Sequence, residues 1–179
     1  MVSPVPGWKQ RYSGFSLLEL VVAIFIISLL AAFAFKKLEA LAEDVERVSF
    51  EGVRNNIQAQ ITLKVAYWYA EQKVISPAEL AQTNPMDLIQ HKPANYAGEL
   101  SFEHLSAAAS EHWYFLSDKR WLVYKAKRLE QLNNEFDQVE IIPFQLKSRL
   151  NHPHQKRGVA LEAKLKPLYT FYWKADDTD

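Results

Sequence analysis

The sequence predicts an α+β protein: one long N-terminal helix, apolar in its first half and amphipathic in its second, packed on a C-terminal antiparallel sheet of about four strands. Three observations predict it. No proline interrupts residues 15–76, so the backbone there can stay helical. Apolar residues recur at spacings of three and four through the second half of that run. The last third of the chain consists of short aromatic and β-branched runs separated by turn residues. An apolar content of 49% and an aromatic content of 13% exclude a disordered chain. The 179 residues suit one modest domain with an appendage.

The first 14 residues, MVSPVPGWKQRYSG, contain Lys9 and Arg11 and no acid. From Phe15 to Phe35 only Ser16, Glu19 and Ser28 are polar, and at 1.5 Å per residue this run spans about 30 Å, the thickness of a bilayer core. Lys36 and Lys37 end it. One explanation is a secretory signal with Ala32-Phe33-Ala34 as its cleavage site, although the run is long for a signal core. Another is an uncleaved anchor, although basic residues flank both ends and favour neither direction. Neither accounts for Glu19, because an ionised carboxylate in hydrocarbon costs several kcal/mol unless it is paired.

Beyond Lys37 the helical rhythm continues through Leu38, Leu41, Val45 and Val48, then Val53, Ile57, Ile61, Val65 and Trp68. The opposite face is expected to carry Glu39, Glu43, Asp44, Glu46, Arg47 and Glu51. Gly52 is a weak point of about 1 kcal/mol. The helix is therefore expected to run from Phe15 to about Lys73, with a transmembrane part at 15–35. A folded domain should cover the stripe from Val53 to Trp68.

Ser76-Pro77 marks the exit into a polar connector, residues 74–109. Within it Asn84 caps a short helix beginning at Pro85, and His91-Lys92-Pro93 and Asn95-Tyr96-Ala97-Gly98 read as turns. The sheet is expected at 110–173. Trp113–Leu116 and Trp121–Tyr124 flank the four-residue connection Ser117–Arg120, a hairpin. Val139–Leu146 is a third strand, placed at an edge or a bulge by Pro143. Val159, Leu161, Ala163 and Leu165 alternate with polar neighbours as a fourth strand, which Pro167 breaks before Leu168–Trp173.

Gly14, Phe15, Ser16, Leu17, Leu18 and Glu19, followed by an apolar stretch, resemble the processing motif of type IV pilins and type II secretion pseudopilins. The resemblance implies cleavage between Gly14 and Phe15 by a prepilin peptidase, and methylation of the new amine at Phe15 by the same enzyme. Residues 1–14 are then a leader, 15–73 the long helix and 74–179 a periplasmic or extracellular head. The implied location is the bacterial inner membrane, crossed once, and then a filament. The implied partners are that enzyme, other pilin or pseudopilin subunits, an inner-membrane assembly platform and the membrane itself. In the family, Glu19 meets the amino terminus of a neighbouring subunit and sets axial register. A contacting pair offsets much of the cost each charge bears alone in low dielectric.

Two departures favour a minor pilin or pseudopilin over a main shaft subunit. Lys36 stands where many members have a helix-breaking proline, and there is no Cys to close a C-terminal disulfide loop. The stretches Asn84–Leu88 and Pro93–Glu99 are similar to segments of minor subunits of the mannose-sensitive haemagglutinin type of pilus. The competing expectation is a periplasmic anchored or secreted domain of unrelated function.

No other constellation outweighs an ordinary structural role. His152-Pro153-His154 lacks a third ligand at a metal-binding spacing, and His91, His104 and His112 are scattered. Asp176-Asp177-Thr178-Asp179 is expected to be an acidic tail rather than a calcium site. The aromatic runs at 113–115, 121–124 and 169–173 are expected in the strand core. None of the five glycines sits in a phosphate-binding loop. Balanced charge, 21 basic against 21 acidic residues, gives no reason to expect a nucleic-acid partner. No catalytic residue, metal or cofactor is expected.

Overall fold

The computed structural model of the chain describes residues 16–73, 76–150 and 160–174. Two compact units divide it, one up to Leu41 and one from Ala42 onward. Helix α1, Leu17–Ala70, begins in the first and ends in the second. It stops three residues before the expected end, where Gln72 adopts a positive φ of 56° and breaks the helical course.

In the second unit, α2 (Pro77–Gln82) follows with a capping box. The Ser76 hydroxyl accepts from the Glu79 amide at 3.1 Å, and the Glu79 carboxylate accepts from the Ser76 amide at 2.9 Å. That bonding holds the Glu79 carboxyl below its ordinary range. Asn84 caps a 3₁₀ turn at Pro85–Asp87, as the sequence indicates. Strands β1 (Tyr96–Leu100), β2 (His112–Leu116), β3 (Trp121–Lys125), β5 (Ile141–Leu150) and β6 (Ala160–Pro167) form one sheet in the order β1-β2-β3-β5-β6. Strands β4 (Leu132–Asn134) and β7 (Phe171–Trp173) form a separate antiparallel pair.

The α+β class and the helix-on-sheet packing stand, and the sheet is mixed. β1 runs parallel to β2 and lies in the segment expected to be connector. Its sequence, Tyr-Ala-Gly-Glu-Leu, contains a glycine at φ 99° that makes it read as a turn, and the glycine instead sits at an irregularity in the register. The hairpin β2–β3 has the expected Ser117–Arg120 connection. Pro143 lies in β5, an interior strand by sheet order, and not at an edge. Its carbonyl accepts from Leu168 on the β6 side, where the β6 ladder has just ended at Pro167, so its missing N–H breaks no ladder bond. Val159, His152, His154 and the acidic tail lie outside the described residues.

The stripe expected on α1 is half right. Ile57, Ile61 and Val65 are buried in the main core, with Val53 and Trp68 packed against it. Leu38, Leu41, Val45 and Val48 are exposed. From Val48 to Val53 the chain advances five residues, about 500° at 100° per residue, so the rhythm jumps roughly 140° round the helix. The face shared with Ile57 carries Glu43, Glu46 and Phe50 instead, and all three are buried. Phe50 is the hub. Its ring stacks on Trp113 at 5.4 Å and meets Tyr124, Phe144, Phe171 and Trp173 within about 6 Å. One helix residue thereby ties β2, β3, β5 and β7 together, each aromatic pair adding about 1 kcal/mol beyond burial.

The other face of the large sheet is closed by the 3₁₀ segment Phe102–Ala107 over Leu105, Tyr114, Leu116, Val123 and Ile141. Lys125 fastens it. Its buried Nζ donates to the carbonyls of Leu105, Ser106 and Ala108 at 3.0, 2.7 and 2.9 Å, one acceptor for each ammonium proton. The first two aromatic runs pack largely as core, as their strand propensity suggests, whereas in the run 169–173 only Phe171 and Trp173 pack against it and Tyr169 and Tyr172 are exposed. Trp113, Phe115, Leu122 and Tyr124 are all buried.

Candidate processing and assembly site

Local bonds account for the two serines of the apolar first half of α1. The Ser16 hydroxyl accepts from the Glu19 amide at 3.2 Å and caps α1. The Ser28 hydroxyl donates to the Ile24 carbonyl at 2.8 Å, which satisfies it inside the helix. The carboxylate of Glu19 is left. It sits in the first turn of α1, exposed, with no cation within ion-pair distance among the described residues. The helix dipole favours a carboxylate there by about 0.3–1 kcal/mol, far short of what desolvation in lipid costs. Ser16 and Glu19 are themselves the ends of an S-x-x-E start signal, a local reason for the glutamate that the motif obscures.

Helix α1 is long and apolar enough to cross a membrane, and none of its qualifying window is buried inside the protein. Gly14 and Phe15 lie outside the described residues. Residues 9–35 match the family model described as the prokaryotic N-terminal methylation motif. The chain carries the N-terminal signal of type IV pilins and pseudopilins. No curated protein and no solved structure gives a significant match to it. The pilin-type signal occupies the N-terminal residues only.

In the second unit, two acids of α1 hold the main chain that follows β3. Glu46 is 5% exposed. Its carboxylate accepts from Tyr124 Oη at 3.1 Å, from the amides of Lys127 and Arg128 at 2.8 and 3.2 Å, and from Arg128 Nη1 at 3.3 Å. Arg128 also pairs with Glu111 at 2.6 Å. Glu43, 2% exposed, accepts from the Gln131 amide at 2.8 Å. The sequence placed both acids on the solvent face. The signal that could have found them is their i, i+3 spacing on one side with Phe50, the start of the buried face.

Burial first, then the neighbouring Glu46 carboxylate, pushes the Tyr124 hydroxyl well above its ordinary value of 10.0. Burial raises Tyr114 and Tyr96 as well. A folded-state pKa above the unfolded one means that the neutral form is favoured in the fold. This stability is fully present below pH 10 and is lost as pH rises from there toward the folded pKa. Tyr124→Phe should therefore flatten the fall in denaturant midpoint between pH 8 and pH 11. At neutral pH it should cost about 1 kcal/mol for the lost hydrogen bond. An unchanged alkaline slope in the variant would remove Tyr124 from that role.

Two of the scattered histidines, His104 and His112, make local ring contacts. His104 Nδ1 lies 2.7 Å from Ser101 Oγ and His112 Nδ1 lies 2.7 Å from the Ser110 carbonyl. No group of three metal-capable side chains occurs among the described residues.

Proposed function

We propose that the chain is a prepilin-like structural subunit, a minor pilin or pseudopilin. It is cut after Gly14, methylated at Phe15 and assembled into a type IV pilus or a type II secretion pseudopilus. The observation that carries this reading is the methylation motif over residues 9–35. Before assembly the apolar start of α1 anchors the subunit in the inner membrane with the head in the periplasm. Loss of the leader removes Lys9 and Arg11 and no acid, leaving 19 basic and 21 acidic residues, a formal charge of −2.

The exposed apolar face of α1 supports the same reading. Val45, Val48 and Leu63 are 62%, 64% and 70% exposed on a helix whose opposite face is already buried in the head. Apolar surface of that kind on a second helix face is suited to packing against another helix. The motif supports the prepilin peptidase and other pilin-type subunits as partners; in the same proposal the chain docks on an inner-membrane assembly platform and acts as a building element rather than an enzyme.

Processing tests the reading. A peptidase working at a membrane surface needs the main chain close, and glycine alone offers no side chain in the way. Gly14→Val should leave the leader attached, seen as a slower band on gel electrophoresis. Normal leader removal in this variant would contradict the assigned site.

A further inference from the structure

Edge strands leave a row of main-chain N–H and C=O groups that must be covered, bent away or paired with another chain. Here α1 covers one edge with its own side chain. Gln58 donates from Nε2 to the Ala163 carbonyl at 2.9 Å and accepts from the Leu165 amide at 2.8 Å, so a single side-chain amide occupies the outer edge of β6. β7 is treated differently. Among the described residues it pairs only with β4, with Asn133 opposite Tyr172. The Thr170 carbonyl accepts from Glu135 and the Lys174 amide donates to Gln131. Antiparallel alternation then turns the N–H and C=O of Phe171 and Trp173 away from β4. Among the described residues no side chain covers them as Gln58 covers β6.

A groove of about 550 Å³ borders this strand, with Pro167–Trp173 on one wall and Glu51 and Arg54 of α1 on the other. Tyr169 and Tyr172 stand partly exposed at its rim. Glu51 points to solvent, whereas Arg54 is half-buried. Among the described residues its guanidinium has only a 3.4 Å contact to Asn55 Oδ1 and the Phe50 ring at 5.9 Å, with no carboxylate in ion-pair range. A half-buried guanidinium with free donors favours an anionic acceptor, best met by a carboxylate fork.

We propose that this groove receives an extended segment of a neighbouring pilin-type subunit, which adds as a strand to the outer edge of β7 and sets a carboxylate against Arg54. The unpaired groups recur on alternate residues, about 7 Å apart along the strand, the repeat that another strand matches. Main-chain bonds supply the attraction, and the Arg54 contact selects the segment. The inference rests on the reading of the chain as a filament subunit.

Hydrogen exchange tests it on the full chain in two states: extracted from membranes in detergent, and within sheared filaments. Mass spectrometry follows the segment 169–174, with the inner strand β2 as reference. The Phe171 and Trp173 amides should exchange at least ~10-fold more slowly in filaments, and Arg54→Glu should abolish that extra protection. Filament-borne chain with unprotected Phe171 and Trp173 overturns strand addition and leaves the subunit reading intact. Protection that survives Arg54→Glu overturns the carboxylate contact. Absence of the chain from filaments overturns the inference and the reading together.

Discussion

Glu46→Ala should lower the unfolding free energy of the head by about 3–5 kcal/mol. The carboxylate is almost wholly removed from water and takes four donors, two of them main-chain amides that no other group reaches. Truncation strands those amides and the Tyr124 hydroxyl, and leaves Arg128 with Glu111 alone. Glu46→Gln should cost less, because one amide oxygen still accepts while its NH₂ opposes the donors around it. Urea titration of the full chain in detergent, followed by tryptophan fluorescence, reads the difference, since Trp113 stacks on Phe50 in the same core. A loss below about 1 kcal/mol would place Glu46 with ordinary surface ion pairs.

Glu19→Val should leave insertion and leader removal intact while lowering the ratio of filament-borne to membrane-borne protein at least ~10-fold. The helix start survives the change, because Ser16 accepts from the main-chain amide of residue 19 and not from its side chain. What is lost locally is a dipole interaction of about 0.3–1 kcal/mol. What is lost between subunits, on the pairing account, is a buried charge pair whose breakage costs about 3–5 kcal/mol. That difference decides which effect dominates. The variant should insert as well as the parent or better, since valine removes a desolvation cost in lipid. Glu19→Asp should be only partly rescued, because a carboxylate one methylene shorter reaches the amine of Phe15 poorly. Equal incorporation of the valine variant would reduce Glu19 to a residue of the helix start.

What the sequence made legible follows from how local each signal is. The Asn84 cap and the β2–β3 hairpin depend on neighbours within a few residues, and both are present. β1 was hidden because its glycine mimics a turn, and its parallel pairing with β2 is set by the intervening 3₁₀ segment rather than by its own residues. Glu43 and Glu46 misled for another reason. Acids on an amphipathic helix are usually solvated, and their burial depends on the main chain at 127–131, some eighty residues later. Gln58 likewise depends on distant main chain, since its partners Ala163 and Leu165 lie in β6. At the proposed processing site the motif is local and carried by residue type, which is why Gly14, Phe15 and Glu19 stand out without a structure.

Cleavage after Gly14 and methylation of Phe15 define the proposed filament subunit. The intact mass of the protein purified from membranes tests both most directly. Loss of residues 1–14 together with the gain of one methyl group on Phe15 is the expected result. A chain of full mass, or one cut after Ala34 as a secretory signal would be, contradicts the account.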